Sequence, residues 1–297
     1  MTNFDHQLKK LNTENGFIAA LDQSGGSTPK TLQIYGVGDE AWSTEEEMFS
    51  VVHQMRTRII KSPAFSGEHI LAAILFENTM DRNIGNLTTP EYLWTVKNVI
   101  PILKVDKGLA DERDGCQQMK PIPDLGDLLK RAKSKGIFGT KMRSVIKNPN
   151  TEAINAVVKQ QFLFARQIIS SQLVPIVEPE IDINSDDKSE IESILKDAIF
   201  AELDSLTKDQ KIMLKLTLPE IDNFYQELTR HPNVVKVVAL SGGYPREKAN
   251  ERLSRNNGVI ASFNRALTEG LTVEHSDAEF DSLLKASVEN IYSASIT

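Results

Sequence analysis

The sequence predicts an α/β fold, a single (β/α)₈ TIM barrel, and three observations support this prediction. Eight short apolar runs alternate with amphipathic segments along the 297 residues. Most of these runs are continuously apolar, which is typical of parallel strands covered on both faces. Polar and charged residues collect where the runs end. An open doubly wound sheet would also alternate strands and helices, but this last pattern favours a barrel, whose active site lies at the carboxyl ends of its strands.

The eight apolar runs are each bounded by turn residues and have the length of ordinary strands. No low-complexity linker and no solenoid repeat interrupts them, so we expect one catalytic domain over residues 1–297. The predicted strands are 17–22, 70–76, 102–106, 137–142, 173–178, 211–216, 234–240 and 258–263.

The segments between the strands predict covering helices, because their apolar residues recur at three- and four-residue spacing. Examples are 45–60, 151–170 and 189–206. Asn150 or Thr151 is expected to cap the second of these helices. Ser189 and Glu192 have the spacing of a capping box for the third.

Composition and charge restrict the partners and the location. The net charge of -7 argues against nucleic acid and against an anionic membrane surface, since both require a basic excess. No apolar run is long enough to span a bilayer, and the first residues lack the apolar region of a secretion signal. The single cysteine, Cys116, excludes an internal disulfide framework and fits a reducing compartment. We expect a cytoplasmic protein.

The histidines do not predict a metal centre. They show no HxH or HxxE cluster, and most lie in helical segments or loops rather than at strand ends. We therefore expect no bound metal. The five histidines are His6, His53, His69, His231 and His275.

Lysines inside apolar strand runs are the most informative residues. Lys104, Lys141 and Lys215 fall at the same end of three different predicted strands. Any one of them could extend its ammonium to water from a frayed strand end. Together they indicate either a cationic site for phosphate groups or a crowded set of ammonium groups in which one acts as a nucleophile.

Residues two apart on a strand point to the same face, and this pairs several of the charged residues. Lys104 shares a face with Asp106, Lys141 with Arg143, and Glu178 with Glu180. A pair of this kind could also be an ion-pair network that closes the barrel mouth. When carboxylates and ammonium groups share one site, their charges push the pKa values of the individual groups apart. Proton transfer at neutral pH requires such differences.

Three further segments could bind phosphate, although ordinary glycine-containing turns would have the same kinds of residue. Ser24 and Ser27 follow the first strand and could hold one anion. A glycine-rich turn after the seventh strand and polar residues after the eighth could hold another. The residues at these two strand ends are Ser241, Gly242, Gly243, Ser262, Asn264 and Arg265.

Eight segments together resemble the class I fructose-1,6-bisphosphate aldolases, in particular their short bacterial branch. The segments occur in the order of that family and span nearly the whole chain. They are ALDQSGGS (20–27), ILFENTMDR (74–82), LKVDKG (103–108), GTKMRS (139–144), VPIVEPEI (174–181), MLKLTLP (213–219), LSGGY (240–244) and ASFNRAL (261–267).

The resemblance implies a lyase of glycolysis and gluconeogenesis that works without a cofactor, through a Schiff base. Lys215 would attack the C2 carbonyl of the ketose. Glu178 would be the acid and base of imine formation, with Glu180 and Lys141 shaping the charge around it. Asp22 would take the proton of the C4 hydroxyl as the C3–C4 bond breaks.

The resemblance also implies how the sugar phosphate is held. Lys104 and Arg143 would contact the substrate. The site for the C1 phosphate would comprise Ser241, Gly242 and Arg265, and the region of the C6 phosphate would include Ser24 and Ser27. A homo-oligomer is compatible with the family, but the sequence identifies no interface.

Two departures from the family pattern stand out. Animal-type members end in a longer tail whose tyrosine assists proton exchange on the enamine, and Tyr292 does not align with it. A glycine of the family, just before the phosphate-binding arginine, is replaced by Asn264. The sequence therefore leaves open which group protonates the enamine, and it does not distinguish fructose from tagatose bisphosphate.

Overall fold

Eight parallel strands form the barrel in a computed structural model that describes residues 2–24 and 27–297, apart from the side chain of Ser27. Each strand pairs in parallel with the next one along the chain. All eight predicted strands are confirmed, with bounds that shift by a few residues. They are β1 (Phe17–Leu21), β2 (Ile70–Leu75), β3 (Ile100–Lys104), β4 (Gly139–Ile146), β5 (Val174–Ile181), β6 (Ile212–Thr217), β7 (Val234–Leu240) and β8 (Val259–Ala261).

Helices follow the strands and cover the outside of the barrel. A short antiparallel pair, Asn83–Ile84 with Leu87–Thr88, and a two-residue strand beside β4 lie outside the barrel. The α-helices are α1 (Asn3–Thr13), α2 (Ser27–Ile34), α3 (Glu45–Lys61), α4 (Glu77–Asp81), α5 (Thr89–Thr95), α6 (Leu125–Ser134), α7 (Thr151–Ser170), α8 (Lys188–Leu203), α9 (Gln226–Thr229), α10 (Arg246–Ser254), α11 (Arg265–Thr268) and α12 (Asp277–Ser295).

A side-chain cap explains one of the two helix starts for which the sequence predicts a cap. The predicted cap of α7 is confirmed, because the side chain of Asn150 accepts a hydrogen bond from the backbone nitrogen of Ala153 at 2.9 Å. The predicted capping box of α8 is wrong. That helix begins earlier, at Lys188, and Glu192 is fully buried, where its carboxylate binds the ammonium of Lys188. The carboxylate of Glu192 therefore pairs with a buried lysine instead of capping α8.

Alternation along the strands places the polar residues at one end of the barrel interior. Ile18 and Ala20 of β1 point into the interior core, and Asp22 continues the same face two residues later. In β6, Met213 points inward and Lys215 follows it by two positions. The strands thus change from apolar to ionisable side chains as they approach their carboxyl ends.

The seam between β1 and β8 closes the barrel differently from the other strand pairs. These two strands form no ladder in the described part of the chain. One backbone hydrogen bond joins their carboxyl ends, from the nitrogen of Ala20 to the carbonyl oxygen of Phe263 at 3.2 Å. A side chain adds a second, since the amide of Asn264 donates to the carbonyl of Ala20 at 2.6 Å.

The opposite end of the barrel is covered by α1, whose Phe4, Leu8 and Leu11 pack on the interior core. Among residues 2–24 and 27–297, no helix is both long enough and apolar enough to cross a bilayer.

Candidate active site

A cavity of about 770 Å³ opens at the carboxyl ends of the strands. A second cavity, of about 890 Å³, lies at the other end of the barrel beside α1, and residues such as Phe4, Trp94 and Lys133 line it. Only the first contains the strand-end residues singled out in the sequence, so it is the candidate site. Those that line it are Asp22, Ser24, Lys104, Asp106, Lys141, Arg143, Glu178, Lys215, Asn264 and Arg265.

The centre of this cavity is a row of alternating charges. The Nζ atom of Lys141 lies 2.7 Å from Oδ2 of Asp22 and 3.0 Å from Oε2 of Glu178. The other oxygen of Glu178, Oε1, lies 3.0 Å from Nζ of Lys215. All four side chains are more than nine-tenths buried. Glu178 therefore bridges two lysines, and Lys141 bridges two carboxylates.

Charge pairing fixes the ionisation of two of these groups. Burial would raise the pKa of Asp22, but the charges of Lys141 and Lys215 outweigh burial and hold this pKa well below its usual range. Burial would likewise lower the pKa of Lys141, but Asp22 and Glu178 outweigh it and raise that pKa. Lys141 is thus held as an ammonium, which is a poor nucleophile.

Two further ion pairs flank the row. Nζ of Lys104 lies 2.7 Å from Oδ1 of Asp106, and the guanidinium of Arg143 pairs with Glu180. Burial opposes the charge of Arg143, but Glu180 outweighs it and raises the pKa of the guanidinium. Of the predicted same-face partners, Lys104 and Asp106 contact each other directly, whereas Glu180 contacts Arg143 rather than Glu178.

The loops after β7 and β8 meet beside the cavity. Gly242 and Gly243 have φ values of 60° and 125°, a backbone region that favours glycine. A Cβ on Gly242 would lie 2.6 Å from the side chain of Ile183, and a Cβ on Gly243 would lie 3.4 Å from the guanidinium of Arg265. The glycine turn and the exposed Arg265 are therefore neighbours, as a shared anion site requires.

The remaining predicted phosphate residues are distributed around these loops. Ser241 is buried directly before the glycine turn. Ser262 is also buried, and its hydroxyl has no hydrogen-bond partner among the described residues. Ser27 begins α2, but its side chain lies outside the described residues.

Sequence reasoning missed two buried polar residues that support the site. Arg56, on α3, is fully buried and donates to the carbonyl oxygen of Gln23 at 2.5 Å. Gln161, on α7, is fully buried and accepts a hydrogen bond from the backbone nitrogen of Glu178 at 2.8 Å. Each occupies a position where the helical period calls for an apolar residue. A polar residue on the apolar stripe was the available signal.

Acid should weaken the folded state through Asp22. Its folded-state pKa lies below the value of about 3.9 for an unfolded chain. The stability it contributes is therefore fully present above that pH and is lost as the pH falls towards the folded-state pKa. Between pH values of about 5 and 2.5, we expect urea unfolding of the wild type to lose more free energy than that of Asp22→Asn. Parallel pH profiles for the two proteins would contradict this expectation.

A barrel with lysines and carboxylates alternating at its strand ends defines the class of protein, an enzyme that handles an anionic substrate by acid–base and amine chemistry. Residues 5–224 match the family model of fructose-bisphosphate aldolase class-I. Curated relatives named fructose-bisphosphate aldolase class 1 include one from Synechocystis sp., 60% identical over 98% of this chain and 97% of its own length. Another, from Clostridium acetobutylicum, is 55% identical over 98% of this chain and 99% of its own.

The chain belongs to the class I fructose-bisphosphate aldolase family. A solved structure of the fructose-bisphosphate aldolase from Plasmodium falciparum shares the fold, with a TM-score of 0.75 and 21% identity over 98% of this chain and 93% of that one. Enzymes of this family are lyases that reversibly cleave fructose 1,6-bisphosphate to dihydroxyacetone phosphate and glyceraldehyde 3-phosphate, a step of glycolysis and gluconeogenesis. They act through a Schiff base and without a metal.

Proposed function

We propose that this chain cleaves fructose 1,6-bisphosphate through a Schiff base on Lys215. The observation that carries the proposal is the bridge of Glu178, which lies 3.0 Å from Lys215 and 3.0 Å from Lys141. Since Lys141 is held as an ammonium between two carboxylates, Lys215 is the lysine of this row that is available to act as the nucleophile.

Imine formation needs an acid next to the nucleophile. Glu178 first takes a proton from the ammonium of Lys215, 3.0 Å away. The free amine then adds to the C2 carbonyl, and the C2 oxygen takes the second proton of that nitrogen to give a carbinolamine. Glu178 then supplies the proton with which the C2 oxygen leaves as water, and a protonated imine remains. Lys141 stabilises the carboxylate of Glu178 after that transfer.

Bond cleavage needs a base near the C4 hydroxyl and a sink for electrons. Asp22 takes the hydroxyl proton as the C3–C4 bond breaks, and the bonding pair moves onto the imine nitrogen to give an enamine. Glyceraldehyde 3-phosphate leaves as the aldehyde. Because the protonated imine is the electron sink, we propose that no cofactor takes part.

Cations and hydroxyl groups around the cavity would hold the sugar phosphate. Lys104 and Arg143, which line the cavity beside the charged row, would contact the substrate. Arg265, with Ser241 and the glycine turn, would bind the C1 phosphate, while Ser24 and Ser27 would belong to the region of the C6 phosphate.

Replacing Arg265 with alanine should raise KM by about 10- to 100-fold, because a charge-assisted hydrogen bond to phosphate is lost. Steady-state kinetics should show this increase with fructose 1,6-bisphosphate and equally with fructose 1-phosphate, which keeps only the C1 phosphate. Arg255→Ala, a matched change at an exposed arginine paired with Asp222 and Glu251, should leave KM unchanged. A rise confined to the bisphosphate would instead place the C6 phosphate at Arg265.

Borohydride trapping tests the proposed function directly. The wild type is incubated with dihydroxyacetone phosphate and EDTA, reduced, and mapped by peptide mass spectrometry. We expect a stable adduct on Lys215 and on no other lysine. Cleavage activity that EDTA abolishes, together with no adduct, would mean that a metal performs the task assigned to the imine.

A further inference from the structure

Two side-chain amides meet across the seam of the barrel, directly beside the catalytic row. Nε2 of Gln23 donates a hydrogen bond to Oδ1 of Asn264. The two residues are 241 positions apart in the chain, and both line the cavity. Their contact joins the loop after β1 to the loop after β8.

Each of the two residues makes a further hydrogen bond, Asn264 through its side-chain amide and Gln23 through its backbone carbonyl. Nδ2 of Asn264 donates to the carbonyl oxygen of Ala20 at 2.6 Å. The carbonyl oxygen of Gln23 accepts from the buried guanidinium of Arg56 at 2.5 Å, and the same guanidinium donates to the hydroxyl of Thr79 at 2.6 Å. A continuous chain of hydrogen bonds therefore runs from α4 through α3 to both loops.

These contacts lie between β1 and β8, the neighbouring strands that form no ladder of backbone hydrogen bonds in the described residues. A single backbone hydrogen bond joins the carboxyl ends of β1 and β8 in residues 2–24 and 27–297. Side-chain amides thus replace the missing backbone pairing at the catalytic end of the barrel. The oxygen Oε1 of Gln23 stays buried without a partner among the described residues, a cost that ordinary packing would avoid.

The neighbours of the two amides show what this contact controls. Gln23 directly follows Asp22, whose carboxylate lies 2.7 Å from Lys141. Asn264 directly precedes Arg265, which lies beside the glycine turn. The contact between the two amides would fix the distance between Asp22, the proposed base of C3–C4 cleavage, and Arg265, the proposed phosphate-binding residue.

We propose that Gln23 and Asn264 form a clasp across the barrel seam and act as positioning residues for Asp22 and Arg265, with Arg56 as its anchor. The inference rests on the proposed function, because it assigns the clasp to the roles of Asp22 and Arg265 given above. It accounts for asparagine at position 264, where the family has glycine, since only a side chain can reach Ala20 and Gln23.

A double-mutant cycle tests the clasp, with Gln23→Met, Asn264→Ala and the double variant. Misplacing a reacting group by a fraction of an ångström costs rate, so each single change should lower kcat for cleavage by about tenfold and raise KM. Because either change breaks the shared bond, the double variant should match Asn264→Ala alone. Losses that multiply would overturn the clasp.

A matched control separates positioning from stability. Asn256 is a buried asparagine near the other end of β8, and its amide donates to the carbonyl of Arg252 at 2.8 Å and accepts from the nitrogen of Asn223 at 2.9 Å. Asn256→Ala should lower the midpoint of thermal unfolding yet keep kcat and KM within about twofold of the wild type. If the clasp variants behave in the same way, the clasp is a structural contact only.

The near-isosteric variant Gln23→Glu gives an independent pH readout. Its carboxylate cannot donate to Asn264, but the protonated acid can. We expect the ratio of variant to wild-type kcat to rise several-fold from about pH 7 to about pH 4.5, as the new carboxyl gains its proton near the ordinary glutamate pKa of about 4.3. A flat ratio would overturn the clasp. If the wild type forms no adduct on Lys215, the proposed function is wrong. If the wild type is active and forms the adduct but the clasp variants are unaffected, only the clasp is wrong.

Discussion

Lys215→Met should reduce cleavage of fructose 1,6-bisphosphate by a factor of roughly 10⁵ or more, since the whole covalent route is removed with its nucleophile. Methionine keeps the length and the burial of the side chain, so the barrel should fold. The borohydride adduct should disappear from the peptide that contains position 215. Activity assays and peptide mapping on the same preparation measure both effects.

Lys236→Met is the control for this experiment. Lys236 is half-buried on β7 and makes no contribution to the cavity lining. The control should keep its adduct on Lys215 and its kcat. An adduct that persists in Lys215→Met, for example on Lys141, would show that the nucleophile has been assigned to the wrong member of the row.

Asp22→Asn should separate imine formation from bond cleavage. Removing a positioned base costs about 10²- to 10⁴-fold in rate, and we expect a fall in kcat for cleavage near the middle of that range. Trapping with dihydroxyacetone phosphate should still succeed, because that ligand forms the imine without breaking a C–C bond. Single-turnover kinetics beside borohydride trapping would resolve the two steps.

Asp182→Asn provides a carboxylate-to-amide change just beyond β5 and outside the cavity lining. It should keep kcat within about twofold of the wild type. If Asp22→Asn blocked trapping as strongly as cleavage, the carboxylate of Asp22 would be needed to form the imine. The assignment of Asp22 to C3–C4 cleavage would then be wrong.

The strands and the charged row were predictable because both depend on local patterns. Continuous apolar runs indicated each strand, and charged residues at the ends of those runs, such as Lys141 and Lys215, indicated the row. The sequence could not show that Lys141 pairs with Asp22, since that contact depends on how strands distant in the chain meet.

Long-range and side-chain effects account for the rest. Arg56 and Gln161 were interpreted as parts of ordinary covering helices, although each lies on a buried stripe. The contact of Gln23 with Asn264 joins the two ends of the chain, and no local spacing indicates it. Tyr292, which the sequence already set apart from the tail tyrosine of animal-type members, packs against His69 at the start of β2, with ring centroids 4.5 Å apart, away from the cavity.

The alternation of two lysines with two carboxylates has a consequence for electroneutrality. Counted as formal charges, Asp22, Lys141, Glu178 and Lys215 sum to zero. A protonated imine carries the same charge as the ammonium it replaces. In the proposed route, the nitrogen loses its positive charge as Asp22 loses its negative one when the C3–C4 bond breaks. The four charges would therefore sum to zero at every stage, so the reaction at these buried side chains would import no counterion.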